Sequence, residues 1–112
     1  MKSTAQGQKA EQAVAALLIE QGFEILGRNW KTRVCEIDIV AKKDKVVYFC
    51  EVKYRAGAAQ GDGFEYITPK KLQQMKFAAQ IWTGGHAWSG DYRLMAAAVS
   101  GASCETIEML EL

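Results

Sequence analysis

Val34–Arg55 reads VCEIDIVAKKDKVVYFCEVKYR, and the fold turns on this stretch. Its first half alternates: Cys35, Ile37, Ile39 and Ala41 fall to one side of an extended chain, and Val34, Glu36, Asp38 and Val40 to the other. That is the period of two expected of a β-strand. Lys42-Lys43-Asp44-Lys45 is a polar turn, and Val46 to Arg55 is a second arm rich in β-branched and aromatic residues. Two such arms around a short polar turn predict a β-hairpin.

If Lys42–Lys45 closes that hairpin, Ala41 pairs with Val46. Glu36 then falls opposite Glu51, and Asp38 opposite Phe49, with Glu51 on the diagonal. Directly opposed side chains stand about 5 Å apart and diagonal ones about 7–8 Å. In this register Glu36, Asp38, Glu51 and Lys53 converge on one patch. Like charges opposed across a sheet are destabilising, so three carboxylates there call for a cation, a proton or strong solvation. A divalent ion is the economical answer, because Mg²⁺ accepts one or two carboxylates, keeps several waters and works on phosphate substrates. Lys53 would steer a water or stabilise developing negative charge beside it. The competing account is a solvated strand face. Against it stands the setting of these charges among Ile37, Ile39, Val47, Phe49 and Val52, since charges in a buried strand need a reason.

Outward from the hairpin, Ala10, Ala13, Val14, Leu17 and Leu18 recur at helical spacing, and Gly22 follows as a stop. A first helix is expected from Thr4 to Gln21, with Glu11 beside Leu18 at the edge of the apolar stripe. Phe23–Leu26 is a short strand that Gly27-Arg28-Asn29-Trp30 breaks. Downstream, Gly57 to Thr68 is a loop, suited to a flap or a plain connector. Thr68-Pro69 opens a second helix whose buried face carries Leu72, Met75, Ala79 and Trp82, and Gly84-Gly85 ends it. Tyr92–Val99 and Glu105–Leu110 complete the strands. The order predicts an α/β domain, a mixed sheet of four to five strands flanked by helices, over residues 1–112 as a single unit.

Composition narrows the function classes. A chain of 112 residues with 49% hydrophobic and 24% charged residues folds around its own core. No apolar run reaches the roughly 18 residues needed to span a bilayer, and the polar start of the chain carries no export signal, so a cytoplasmic protein with no membrane partner is expected. Cys35, Cys50 and Cys104 are scattered and His86 is the only histidine, which argues against a thiolate zinc site and a Cys-His nucleophile. The cysteines read as reduced thiols, although Cys35 and Cys50 could be neighbours across the hairpin. Trp30, Trp82 and Trp88 read as core or interface residues. The net charge is only +1, but residues 28–76 hold eleven basic against six acidic residues. This positive surplus surrounds the hairpin and suits a salt-sensitive grip on phosphates.

Asp38, a twelve-residue gap, and then Glu51-Val52-Lys53 resembles the D…(D/E)-x-K signature of restriction-endonuclease-like nucleases. Gly7-x-x-x-Glu11 on the preceding helix resembles the first-helix glutamate of archaeal Holliday-junction resolvases. Together with Gly22-Phe23, Arg28-Asn29, Glu36-Ile37-Asp38, Tyr54-Arg55 and Lys71, these stretches make the chain similar to the YraN-like family of small bacterial proteins. The resemblance implies a restriction-endonuclease-like fold with one acidic site. Asp38, Glu51 and the Val52 carbonyl would bind Mg²⁺ or Mn²⁺, Lys53 would orient the attacking water, and Glu11 would supply an outer ligand or act on a second metal. Glu36 matches the pattern without a defined role. Arg28, Arg33, Arg55 and Lys71 would hold nucleic acid. The implied activity is hydrolysis of DNA phosphodiesters, at branched or repair intermediates, and a symmetric homodimer would suit cleavage of both strands. The alternative is a nucleic-acid- or partner-binding module that keeps the fold without turnover.

Overall fold

The computed structural model describes residues 4–55 and 63–112. Helix α1 (Ala5–Glu20) is followed by β1 (Glu24–Lys31), β2 (Glu36–Lys43), β3 (Val46–Arg55), helix α2 (Pro69–Gly85), β4 (Asp91–Ser100) and β5 (Thr106–Glu111). The strands form one sheet in the order β1-β2-β3-β4-β5. All neighbours are antiparallel except β3 and β4, which run parallel because α2 carries the chain back between them. The expected α/β architecture with a mixed sheet is therefore the observed one, with five strands and a helix on each face among the described residues.

Each helix starts where its hydroxyl cap predicts. Thr4 Oγ1 accepts the Gly7 N–H at 2.9 Å, and Thr68 Oγ1 accepts the Lys71 N–H at 3.1 Å with Pro69 behind it. Gly22 ends α1 at a φ of 95°, as expected. The end of α2 differs from the expectation. Gly84 and Gly85 stay helical, and Ala87 takes the left-handed position at φ 54°. Trp88 N–H reaches Thr83 O at 2.9 Å and Ala87 N–H reaches Gly84 O at 3.4 Å, closing the last turn.

Residues 27–30 do not break β1. A bulge between Ile25 and Gly27 absorbs the irregularity, Asn29 takes φ 52°, and the strand runs on to Lys31. The hairpin register also differs from the one expected. Lys43 pairs with Val46, leaving a two-residue turn in which Asp44 (φ 53°) and Lys45 (φ 66°) are both left-handed. Such a turn matches the right-handed twist of the arms. Phe49 therefore faces Val40, not Asp38.

Two cores result. Ala10, Val14, Ala15 and Leu18 of α1 cover Ile39, Ala41, Cys50, Val52, Met95, Ala97 and Val99. Met75, Ala78, Ala79 and Trp82 of α2 cover Ile37, Val40, Val47, Phe49 and Leu94 on the other face. Ile37 and Ile39 thus belong to opposite cores, although residues two apart on a regular strand share a face. The strand is wrung at Asp38, so the face assignment expected for Cys35, Ile37, Ile39 and Ala41 holds only for the last two. Cys35 packs on the α2 core and Cys50 lies in the α1 core, and all three cysteines are free thiols.

Candidate metal centre at the opening of the hairpin

The site begins where a ladder ends. β2 stays paired with β1 as far as Lys31↔Glu36, but its pairing with β3 stops at Ile39↔Cys50. Beyond that point the two arms diverge. Val52 N–H, which would otherwise meet a β2 carbonyl, donates to Asp38 Oδ2 at 2.8 Å. Asp38 is only 3% exposed, so its carboxylate acts as a wedge between the arms. The N–H and C=O of one strand residue leave along the same edge, so the Val52 carbonyl faces the same opening.

Glu51 stands on the other arm, one residue from Val52. Alternation sets it on the α2 side with Phe49, and Lys71 Nζ meets its Oε2 at 3.1 Å. The Glu51 side chain is 13% exposed and that of Lys71 33%. Thr68, by capping α2, fixes the backbone of Lys71 for this contact. Glu51 and Lys71 line an open groove of ≈ 560 Å³ with Glu36, Val34, Lys70 and Phe77.

The two carboxylates share an electrostatic neighbourhood. Burial, reinforced by the charges of Asp38 and then Glu51, pushes the Cys50 thiol well above its ordinary 9.0. The half-buried Tyr66 hydroxyl is likewise pushed above its ordinary 10.0, first by burial and then by Glu51, Cys50 and Asp38, while Arg55 pulls the other way. Tyr66 O–H donates to Ala97 O at 3.4 Å, which lays the segment before α2 across β4 beside the site. Sequence reasoning missed Tyr66, because it sits in a glycine-containing loop with no periodicity to place it.

The other residues expected at this patch are held differently from Asp38 and Glu51. Glu36 is exposed at the rim of the groove, and Lys53 is exposed two residues beyond Glu51. Glu11 is fully buried within the α1 stripe itself rather than at its edge. Among the described residues no three His, Cys, Asp or Glu side chains come close enough together to hold an ion. The expected three-acid patch is therefore replaced by a pair, Asp38 and Glu51, because the register moved and the arms opened. Arg28 and Arg33 are exposed on β1 and on the turn that follows it. Arg55 is half-buried and donates to Gly63 O at 3.3 Å. Of the Gly57–Gly63 flap, residues 57–62 lie outside the described residues. No helix among the described residues is long and apolar enough to cross a membrane.

These features define a compact α/β protein whose mixed sheet is opened at one hairpin by a buried aspartate. Its sequence places it further: residues 10–106 match the model of "Uncharacterised protein family UPF0102", and the chain belongs to that family, the YraN-like group of small bacterial proteins. A UPF0102 protein of Helicobacter hepaticus is 39% identical, with the match covering 100% of this chain and 99% of that relative. UPF0102 proteins of Kineococcus radiotolerans and Anaeromyxobacter dehalogenans are 37% and 42% identical over 71% of this chain, matching 66% and 60% of their own lengths.

Proposed function

We propose that the chain is a Mg²⁺-dependent nuclease that hydrolyses DNA phosphodiester bonds, at branched or repair intermediates. The observation that carries this reading is the opening between β2 and β3, with Asp38 buried on one arm and bonded to the Val52 N–H, and Glu51 the first residue of the other arm beyond the last pair. Two carboxylates and a backbone carbonyl fit a Mg²⁺ ion, which takes few protein ligands and keeps the rest of its shell as water. The pairing of Lys71 with Glu51 is a second point of fit, since the site already attracts a cation. Asp38, Glu51 and the Val52 carbonyl would hold the ion, and Mn²⁺ would substitute for it. Bound there, it would supply acid activation of water and neutralise phosphoryl charge.

The chain's own residues do the remaining work. Lys53 projects from the arm that carries Glu51 and orients the attacking water or meets developing charge. Glu11, buried on α1, would supply an outer ligand or act on a second metal. Arg28, Arg33, Arg55 and Lys71 hold phosphates without reading sequence, so binding weakens with salt. Paired copies would address both strands of a branched substrate, and a DNA substrate sets the protein in the cytoplasm.

The test is incubation of the purified protein with branched and linear DNA in Mg²⁺ or Mn²⁺. Cleavage that disappears in Asp38→Ala and in Glu51→Ala is expected. Cleavage that survives both substitutions would point to another site and remove the assignment. A second reading, a nucleic-acid-binding module without turnover, is favoured by one observation: Lys71 already neutralises Glu51 from within. DNA binding that needs no divalent ion and persists in Asp38→Ala would support it.

A further inference from the structure

The first turn of α2 is electrostatically unusual. A helix N-terminus carries about half a positive charge and favours acidic side chains. The first turn of α2 has no acidic residue and instead carries Lys70 and Lys71 beside the capping Thr68. Both lysines thus sit against the helix dipole. Among the described residues, Lys71 has a counter-charge that explains its place. Lys71 Nζ reaches Glu51 Oε2 at 3.1 Å, at a point where the glutamate side chain is 13% exposed. Lys70 lines the same groove and is exposed.

A glutamate this shielded costs free energy as an anion unless a cation stands beside it. Glu51 has one oxygen against Lys71 and lies next to the opening held by Asp38. A divalent ion entering that opening needs the same carboxylate. Two cations on one carboxylate repel each other, so each weakens the other's hold on Glu51. Lys71 is on a long, flexible stem at a helix edge, with a third of its side chain exposed, and can swing into the groove.

We propose that Lys71 is the resident cation of this site, holding Glu51 until a divalent metal ion displaces it. The inference rests on the metal-binding reading above and adds a residue that sets the affinity. Lys71 is a positioning residue here: it acts on the ion through Glu51. Its displacement also leaves an ammonium group in the groove next to the ion, facing any phosphate that approaches. The site thereby couples ion entry to the release of a phosphate-binding group.

Calorimetric titration with Mn²⁺ alone tests this without reference to turnover. Lys71→Gln removes the competitor, and its Mn²⁺ dissociation constant is expected to fall about fivefold, the upper end for a partly exposed ion pair. Lys71→Arg keeps a competing cation and restores wild-type affinity. Lys70→Gln removes the same charge from the same groove without the contact and leaves affinity unchanged. Equal or weaker binding by Lys71→Gln, or an equal gain in Lys70→Gln, overturns the inference while leaving the metal site standing. Absence of Mn²⁺ binding in every form, the wild type included, removes the metal-binding reading itself and this inference with it. A measurement on the unaltered protein covers a variant that fails to fold. The Lys71 ammonium signal in nitrogen-detected NMR is expected to move to the position of the exposed lysines as Mg²⁺ is added, and an unchanged signal at saturation overturns the proposal.

Discussion

Under α1 the sheet is covered by small and aliphatic side chains, Ala10, Val14, Ala15 and Leu18, and the one charged group among them, Glu11, is wholly buried. Under α2 two alanines, Ala78 and Ala79, stand beside the larger Met75 and Trp82, and the sheet beneath contributes a phenylalanine ring. Phe49 meets the rings of Trp82 and Tyr92 at 5.5 and 5.6 Å, and the acid at the end of this core, Glu51, reaches an open groove and a lysine. One face holds its acid fully buried, and the other presents one that the solvent and a partner can reach. Asp38 sits between them, where β2 twists from one core to the other. The acids are thus presented by two different kinds of packing, and the strand distortion at Asp38 joins them.

Truncation on the aromatic face is expected to have the larger effect. Phe49→Ala is expected to cost about 3–5 kcal/mol in urea unfolding. Leu18→Ala, the matching truncation beneath α1, falls within about 2–5 kcal/mol and below the Phe49 value. A reversed order would show that the aliphatic face dominates. Asp38→Ala leaves the Val52 N–H without its acceptor and is expected to cost about 1–3 kcal/mol, whereas Asp38→Asn keeps an acceptor and loses less. Equal losses would mean that the wedge owes nothing to this hydrogen bond. Glu11→Leu sharpens the contrast from the other side. An apolar side chain in a fully buried position avoids the desolvation cost of a carboxyl, so a gain in thermal stability is expected. A loss would show that Glu11 serves the fold rather than the site.

The smallest effect is in pH. Cys50 and Tyr66 both have hydroxyl or thiol groups pushed above their ordinary values of 9.0 and 10.0. Above pH 9.0 for the thiol and 10.0 for the phenol, the unfolded chain releases its proton before the folded one does. Each contribution to stability is complete below its own point and declines as pH rises beyond it. Unfolding free energy measured across this range is expected to fall, and to fall less in Cys50→Ala. A slope that Cys50→Ala leaves untouched would place the loss elsewhere.

Much of this was legible from residues 34–55. Alternation named the hairpin, the period of helix spacing named both helices, and Thr4, Thr68 and Pro69 set their starts. The order of Asp38, Glu51 and Lys53 named the candidate site. What sequence could not supply was register and twist. Asp44-Lys45 lacks the glycine that announces a two-residue turn, so the turn read as four residues and the pairing as offset. The twist at Asp38 follows from which core takes Ile37 and which takes Ile39, and local alternation does not contain that information. Lys71 opens a helix in sequence, and its contact with Glu51 belongs to tertiary structure alone.

The central claim is that the opening between β2 and β3 binds a divalent cation through Asp38 and Glu51. Titration of the apo protein with Mn²⁺, followed by calorimetry and by the loss of the free-ion paramagnetic signal, is predicted to show binding in the wild type that is abolished in Asp38→Asn, with both proteins melting cooperatively. Undiminished binding in Asp38→Asn, or none in the wild type, would contradict it.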